Sequence, residues 1–145
     1  MKLRKKVIGP DKRGIVYADG CSRGNPGPAA IGGVVQNHKG TIIGEVSAAI
    51  GRATNNVAEY RALIETLSVA RRLGLQTVEI RLDSELVVKQ IRGQYRTRKP
   101  DLKPLLARAL DLLEEFQGYN IEHVPRSLNR RADALCNRAL DRAGN

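Results

Sequence analysis

The spacing of the apolar residues changes along the chain, and this change limits the possible folds more than any other feature. Up to about residue 50 the apolar residues form short extended runs, at 15–18, 31–36 and 41–46. Turn-forming sequences separate these runs, at 24–28 and 37–40. Short apolar runs of this kind are typical of strands, and short connections with glycine are typical of hairpins. The first third of the chain is therefore predicted to form three antiparallel strands.

Beyond residue 54 helical and extended patterns alternate. Apolar residues three and four positions apart predict helices at 60–73, 84–91, 102–116 and 128–140, and residues 77–82 and 119–124 are predicted strands. The order of elements is β-β-β-α-β-α-α-β-α. A hairpin-led sheet that later receives strand–helix–strand crossovers predicts an α/β fold with a mixed sheet flanked by helices. A length of 145 residues fits one domain.

The chain is strongly basic, with a formal net charge of +10. Three segments carry the excess, at 1–13, 92–103 and 126–142. If they converge on one face they would bind a polyanion such as a nucleic acid, and if they do not they are solvated surface runs; we favour the first interpretation. Residues 1–13 are predicted to be a flexible basic arm. Because only 3% of the residues are aromatic, a broad base-stacking surface is not expected.

The sequence also bears on the compartment. No stretch approaches the roughly 18 uncharged apolar residues that indicate a membrane span, and the apolar run after the basic N-terminus is too short for a signal peptide. The two cysteines, Cys21 and Cys136, are too few for a disulfide framework or a four-ligand zinc site. We therefore expect a reducing cytoplasm and unpaired thiols, with pairing of the two cysteines as the less favoured alternative.

Four carboxylates fall where polar side chains are unusual. Asp19 and Asp83 end predicted strands, Glu59 lies in the first turns of the first helix, and Asp133 lies beside the apolar side of the last helix. Ligands gather at strand ends in sheets of this type, so the four side chains are expected to converge. Because like charges repel, such a cluster needs a cation, and oxygen ligands suit Mg²⁺ or Mn²⁺. In a basic chain this predicts phosphodiester chemistry.

Each carboxylate also has a purely structural interpretation. Asp19 precedes a glycine and could form a turn, and Asp83 could cap the short helix after it. Glu59 could complete a capping box in which Asn56 is the cap. Asp133 could pair with the arginine at 130 or at 131. For any one residue the structural interpretation is favoured, whereas the four together favour a metal site.

Four stretches carry a resemblance to a known family: YADGCSRGNPGP at 17–28, TNNVAE at 54–59, LDSELVV at 82–88 and NRRAD at 129–133. In order and spacing they resemble the motifs of the type 1 ribonuclease H family. The resemblance covers residues 14–142, which we expect to be the catalytic domain. It implies a five-stranded mixed sheet of order 3-2-1-4-5, with strands 1–3 antiparallel. It also implies a two-metal-ion endonuclease that hydrolyses the RNA strand of RNA–DNA hybrids, leaving 5′-phosphate and 3′-hydroxyl ends.

The resemblance further implies roles for single residues. Four of them match the family's catalytic, metal-binding carboxylates: Asp19, Glu59, Asp83 and Asp133. The substrate-binding set on the glycine-rich loop and the start of the first helix is Gly20, Ser22, Asn25, Thr54, Asn55 and Asn56. Within this set, Asn25 and Thr54 match positions that hold a DNA phosphate. The implied cofactors are two Mg²⁺ ions, with Mn²⁺ as the alternative.

Three departures from the family's pattern bear on the site. The loop before the last helix lacks the histidine of well-studied bacterial members, and Arg126 stands near that place. We expect Arg126 to act catalytically on the product phosphate, with an ordinary surface arginine as the alternative. Glu85 stands where many members have a substrate-binding glutamine; a carboxylate only accepts hydrogen bonds, which puts the substrate preference in doubt. The basic loop at 96–99 is expected to contact a phosphate in place of the tryptophan-lined protrusion of some members.

The expected partner is an RNA–DNA hybrid, with double-stranded RNA as a second candidate, and we expect a monomer. Two other functions suit the same fold: a non-catalytic nucleic-acid-binding module and a different metal-dependent nuclease. The complete set of four acids disfavours the module, because a binder gains nothing from buried repulsion near phosphates. The asparagines at 55 and 56 and the glycine-rich loop favour the hybrid as substrate over the substrates of other nucleases.

Overall fold

The computed structural model describes residues 2–3 and 11–144, and these ranges contain six strands and four helices. A single 3₁₀ turn, Arg126–Leu128, precedes the last helix. The elements are β1 Lys2–Leu3, β2 Arg13–Ser22, β3 Gly27–Asn37, β4 Ile42–Ala53, α1 Asn55–Arg72, β5 Thr77–Leu82, α2 Glu85–Ile91, α3 Lys103–Leu113, β6 Gly118–His123 and α4 Arg130–Arg142.

All six strands form one sheet of order β1-β4-β3-β2-β5-β6. Strands β2, β3 and β4 are antiparallel neighbours, whereas β5 lies parallel to β2 and β6 lies parallel to β5. The predicted strands 1 to 5 are β2 to β6, so the mixed sheet of order 3-2-1-4-5 is confirmed. The short strand β1 extends the sheet at the outer edge of β4.

Helices α1 and α4 lie on opposite faces of the sheet, and two consecutive glycines of β3 show this. A Cβ atom on Gly32 would collide with the backbone of α4 at Ala132, and one on Gly33 would collide with the side chain of Thr66 in α1. Successive residues of a strand point to opposite faces, so each glycine lets one helix approach the sheet closely. None of the described helices combines the length and the apolar content that a membrane crossing requires.

The main core lies between α1 and the sheet. Side chains of α1, Tyr60, Leu63 and Leu67 among them, are fully buried together with Val16 of β2 and Ile80 of β5. Burial of this apolar area is the main force that fixes α1 against the two central strands. The position of α1 in turn decides where Glu59, next to the buried Ala58 in its first turns, meets the sheet.

Helix α1 begins earlier than predicted, and its cap is different. The N-cap is Thr54, whose Oγ1 accepts a hydrogen bond of 3.3 Å from the backbone N–H of Val57. The alternative in which Asn56 caps the helix and Glu59 completes a capping box is therefore wrong. Strand β3 also begins earlier than predicted, at Gly27. The prediction placed its start later because the glycines and prolines at 24–28 indicated a turn.

Two parts of the predicted flexible arm, 1–13, belong to the sheet. Strand β1 pairs with Glu45 and Gly44 of β4, and Arg13 opens β2. Asp11 forms an ion pair of 2.8 Å with Arg13. The prediction of a flexible arm is therefore wrong at these positions. Residues 1 and 4–10 of the arm lie outside the described residues.

Cys21, at the end of β2, and Cys136, in α4, form a disulfide with a Cα–Cα distance of 6.3 Å. The expectation of unpaired thiols is therefore wrong, and the expectation of a reducing compartment loses the support that it drew from them. The two cysteines are 115 residues apart in sequence, so only the packing of α4 on the sheet brings them together. The disulfide ties α4 to the strand that carries Asp19.

Reduction of this disulfide should destabilise the protein. A disulfide typically contributes about 2–4 kcal/mol to the stability of a folded protein. Treatment with a phosphine reductant should therefore lower the melting temperature by about 5–15 °C. A Cys21→Ser variant is the control, and its melting temperature should not respond to the reductant. Equal melting temperatures of the oxidised and the reduced wild type would contradict the structural role of the disulfide.

Candidate active site

The parallel pairing of β2 with β5 places two carboxylates side by side. Ala18 of β2 is the register partner of Leu82, the last residue of β5. The next residues, Asp19 and Asp83, therefore lie at the same edge of the sheet. Asp19 is still within β2 and pairs with Gly32 of β3, so the alternative in which it forms a turn is wrong.

Glu59 reaches this edge from α1. Helix α1 lies against β2 at Gly20, where a Cβ atom would collide with the backbone of Ala58 and with the amide nitrogen of Glu59. The missing side chain of Gly20 is thus what allows helix and strand to come so close. As a result, carboxylate oxygens of Asp19, Glu59 and Asp83 all lie within 4.8 Å of one another.

Asp133 joins the cluster from α4, on the other face of the sheet. Its carboxyl group lines the same pocket as Asp19, Glu59 and Asp83. Its Oδ1 lies 3.4 Å from Nη2 of Arg126 and accepts a hydrogen bond of 3.3 Å from Nδ2 of Asn137. The ion pair with Arg126 replaces the predicted alternative of a pair with a neighbouring arginine, because Arg131 binds Glu45 instead.

Asp83 is not a helix cap. The N-cap of α2 is Ser84, whose Oγ accepts a hydrogen bond of 3.3 Å from the backbone N–H of Val87. The carboxylate of Asp83 is therefore free to face Asp19 and Glu59. The structural interpretations of the four carboxylates thus do not hold, and the predicted convergence does.

Burial and mutual repulsion raise the pKa values of two carboxyls in the cluster. The pKa of Asp19 is raised to about 10, first by burial, then by the charges of Glu59 and Asp83, and by its hydrogen bond with Asp133. The pKa of Glu59 is raised to about 8 by burial and by the charge of Asp83, against the opposing effect of a backbone hydrogen bond from Gly20. Without a cation, the cluster therefore holds protons at neutral pH.

The carboxylates line a pocket of about 520 Å³. Of the predicted substrate-binding residues, Gly20, Ser22 and Asn55 line this pocket, as does Arg126. The hydroxyl of Ser22 donates a hydrogen bond of 2.8 Å to the carbonyl of Ala53, so it also fixes the end of β4 beside the pocket. Sequence reasoning missed three further lining residues: Cys21, Arg23 and Asn137. Asn137 had a detectable signal, since it is one helical turn from Asp133.

A second, smaller pocket of about 200 Å³ contains three more of the predicted substrate-binding residues. It is lined by Asn25, Thr54 and Asn56 together with Lys99 of the basic loop. The backbone N–H of Asn55 donates a hydrogen bond of 3.1 Å to Oδ1 of Asn25, which connects the two pockets. Asp101 also lines this pocket, and it adds one acidic side chain to it.

Glu85 is the one predicted substrate-binding residue that lines neither pocket. It lies in the first turn of α2, and its Oε1 forms an ion pair of 2.7 Å with Nζ of Lys89. This neighbour lowers the pKa of the Glu85 carboxyl. The structure therefore does not bring Glu85 together with the other site residues.

The donor set suits a hard divalent cation. Among the described residues, the converging ligand atoms of Asp19, Glu59 and Asp83 are all carboxylate oxygens. Oxygen ligands of this kind suit hard divalent cations such as Mg²⁺ and Mn²⁺. A cation at this position would also offset the repulsion that raises the pKa values of Asp19 and Glu59. Asp19, Glu59 and Asp83 can thus hold a metal ion.

Comparison with known proteins agrees with this site. The family described as "Reverse transcriptase-like" matches residues 17–139. The chain is 52% identical to ribonuclease HI of Halobacterium salinarum over 139 residues, which are 94% of this chain and 70% of that protein. The crystal structure of an RNase H1 from the same organism has a TM-score of 0.87 and covers 89% of this chain and 98% of its own.

One further relative and one further solved structure are similar to this chain. A bifunctional protein of Mycobacterium tuberculosis is 48% identical over 131 residues, and the match spans 89% of this chain but only 36% of that protein. A compost-derived RNase H1 in complex with an RNA/DNA hybrid is 44% identical, with a TM-score of 0.86 and coverage of 91% of this chain and 99% of its own. The relatives, the solved structures and the matched residues all lead to one family, and this chain belongs to the ribonuclease H family.

Proposed function

We propose that this protein is an endonuclease that hydrolyses the RNA strand of RNA–DNA hybrids with two Mg²⁺ or Mn²⁺ ions, leaving 5′-phosphate and 3′-hydroxyl ends. The observation that carries the proposal is the cluster of carboxylate oxygens within 4.8 Å of one another, in a chain of net charge +10. The hybrid complex of the related RNase H1 supports the choice of substrate. Residues 14–142 form the catalytic domain in this proposal.

Asp19, Glu59, Asp83 and Asp133 hold the ions. When bound, the ions lower the pKa of the attacking water and stabilise the charge that develops on the leaving 3′-oxygen. The contribution of the chain is to hold the four carboxylates at fixed positions on β2, α1, β5 and α4. Arg126 lies at the rim, 3.4 Å from Asp133, with a side chain that is 78% exposed. It is therefore placed to contact a phosphate of the bound strand and later of the product.

The smaller pocket binds a phosphate of the DNA strand. Asn25, Thr54 and Asn56 offer hydrogen-bonding groups, and Lys99 offers the positive charge. The hydrogen bond between Asn55 and Asn25 fixes the distance between this pocket and the carboxylates. A hybrid bound in both places would present its RNA strand to the carboxylates and its DNA strand to Lys99. All of these residues come from one chain, which supports action as a monomer.

Substitution of one carboxylate should separate cleavage from binding. Asp83→Asn should lower cleavage of an RNA–DNA hybrid by several orders of magnitude, while binding of the hybrid in EDTA persists. The metal-free variant should also melt at a higher temperature, by an amount equivalent to about 1 kcal/mol, because one repelling charge is gone. The assay compares hybrid, double-stranded RNA and double-stranded DNA, each with Mg²⁺ and with EDTA. Asp111→Asn, at an exposed position of α3, is the control.

Normal hybrid cleavage by Asp83→Asn would contradict the proposal at this residue. Cleavage of double-stranded DNA in preference to the hybrid by the wild type would indicate a different metal-dependent nuclease. Tight hybrid binding without any cleavage would indicate a non-catalytic binding module.

The raised pKa values predict how the metal-free stability depends on pH. The carboxyls of Asp19 and Glu59 ionise near 4 in the unfolded chain but near 10 and 8 in the fold. Between pH 5 and 8 the folded protein therefore keeps protons that the unfolded chain releases, so the free energy of unfolding falls as the pH rises, by up to about 1.4 kcal/mol per pH unit for each proton. Denaturant titrations in EDTA should show this fall, and Asp19→Asn should reduce it. If the free energy of unfolding fell equally with pH in the wild type and in Asp19→Asn, the raised pKa of Asp19 would be refuted.

Arg126 should act on the phosphate and not on the metal. Arg126→Ala should lower kcat about tenfold or more, as the loss of one charged contact predicts, and should leave the Mg²⁺ concentration for half-maximal activity similar. Steady-state and single-turnover rates measure the effect. Arg130→Ala, at an exposed position of the first turn of α4, is the matched control. If both variants match the wild type, Arg126 is only a surface residue.

Lys99 should contribute to binding and not to chemistry. Lys99→Ala should raise KM about three- to tenfold, reduce the slope of hybrid affinity against salt by about one, and leave kcat within about twofold. Lys39→Ala, in the hairpin at the opposite end of the sheet, should change none of these quantities. A fall in kcat at unchanged KM would argue against a phosphate contact at Lys99.

A further inference from the structure

Asn129 is a buried polar residue that the proposed chemistry does not use. It lies between the 3₁₀ turn and α4, and it is 1% exposed. Asparagine in this position usually caps the helix by accepting a hydrogen bond from a backbone N–H of the first turn. The side chain of Asn129 forms no such bond. Its Nδ2 instead donates a hydrogen bond of 3.0 Å to the backbone carbonyl of Ala18 in β2.

The bonds of Asn129 connect three segments of the active site. Ala18, which accepts the side-chain hydrogen bond, is the residue before Asp19. The backbone carbonyl of Asn129 accepts a hydrogen bond of 3.1 Å from the N–H of Asp133, and its own N–H donates one of 2.9 Å to the carbonyl of Arg126. Asp19, Asp133 and Arg126 are thus all linked to one side chain and its peptide groups, although they belong to β2, α4 and the 3₁₀ turn.

Stability alone does not account for an asparagine here. Oδ1 of Asn129 is buried and has no hydrogen-bond partner among the described residues. A buried acceptor without a partner costs free energy, and a leucine of similar size would avoid that cost. The bond from Nδ2 to Ala18 is therefore the feature that distinguishes asparagine from an apolar side chain at this position.

Helix α4 has other ties to the sheet, among them a hydrogen bond of 2.7 Å from Oγ of Ser47 in β4 to the carbonyl of Leu135. Arg131 forms an ion pair of 2.6 Å with Glu45 of β4, and the disulfide holds α4 one turn beyond Asp133. None of these ties involves Ala18, although the disulfide joins α4 to Cys21, two residues beyond Asp19 on β2. Loss of the Asn129 side chain should therefore leave α4 docked on the sheet but leave the separation between Asp19 and Asp133 less closely defined.

We propose that Asn129 is a positioning residue, which sets the distance between Asp19 and Asp133 through its hydrogen bond to the carbonyl of Ala18. The proposal rests on the proposed function, in that these two carboxylates hold divalent ions. It assigns to Asn129 a role in metal affinity and in kcat, and none in substrate contact.

The test compares Asn129→Leu with the wild type. We expect the variant to fold with a melting temperature in EDTA close to that of the wild type, and to bind the hybrid in EDTA within about twofold. Its affinity for Mn²⁺, measured by calorimetry without substrate, should fall about tenfold, and kcat should fall about tenfold or more at a similar KM. Asn129→Ser is the second variant: its hydroxyl can cap α4 but is too short to reach Ala18, so it should show the same losses.

The matched control is Gln90→Leu, which removes a buried amide that accepts a hydrogen bond of 2.5 Å from the hydroxyl of Tyr60, away from the site. This control should lose stability without losing Mn²⁺ affinity or kcat. If both Asn129 variants lose only stability and keep wild-type Mn²⁺ affinity and kcat per folded molecule, the proposal is overturned. Because Mn²⁺ affinity is measured without substrate, a failure of the wild type to cleave hybrids would refute the proposed function separately.

Discussion

The carboxylates of Asp19, Glu59 and Asp83 lie within 4.8 Å of one another and repel, and the fold has to hold them together against that repulsion. Each comes from a different element, so no local sequence contact brings them together. The parallel register of β2 and β5 fixes Asp19 beside Asp83. The large apolar core between α1 and the sheet fixes Glu59. The free energy of core burial thus opposes the electrostatic cost of the cluster, and a bound cation would offset much of that cost.

Close approach of backbones is the second requirement. Gly20 lets α1 reach the end of β2, while Gly32 lets α4 lie against the opposite face of β3. These contacts bring carboxylates from both faces of one sheet to a single edge. The ties that then hold α4 in place include the disulfide, the ion pair of Arg131 with Glu45, and the hydrogen bond of Asn129 to Ala18. The pocket that contains Lys99 is connected to this edge by the hydrogen bond of Asn55 to Asn25.

The sequence predicted the framework and the four carboxylates, for identifiable reasons. The alternation of Val78, Ile80 and Leu82 matched β5 residue for residue. Each acid alone could have had a structural role, but the four together indicated a metal site. What it missed depends on tertiary packing. The disulfide, for example, joins residues far apart in sequence. The pairing of Glu85 with Lys89 is different, because residues four apart on a predicted helix are neighbours and the sequence already contained this signal. The bond of Asn129 was not detectable, because asparagine before a helix reads equally well as an ordinary cap.

The most direct test of the account is the number of divalent ions that the carboxylates bind. Calorimetric titration of Mn²⁺ into the protein bound to a hybrid that resists cleavage should give two ions per chain. The same titration with Asp83→Asn should give fewer ions or a large loss of affinity, because Asp83 supplies one side of the cluster. A wild type that binds no Mn²⁺, or a stoichiometry and affinity that do not change when Asp83 is replaced, would contradict the assignment of these carboxylates as a metal-binding active site.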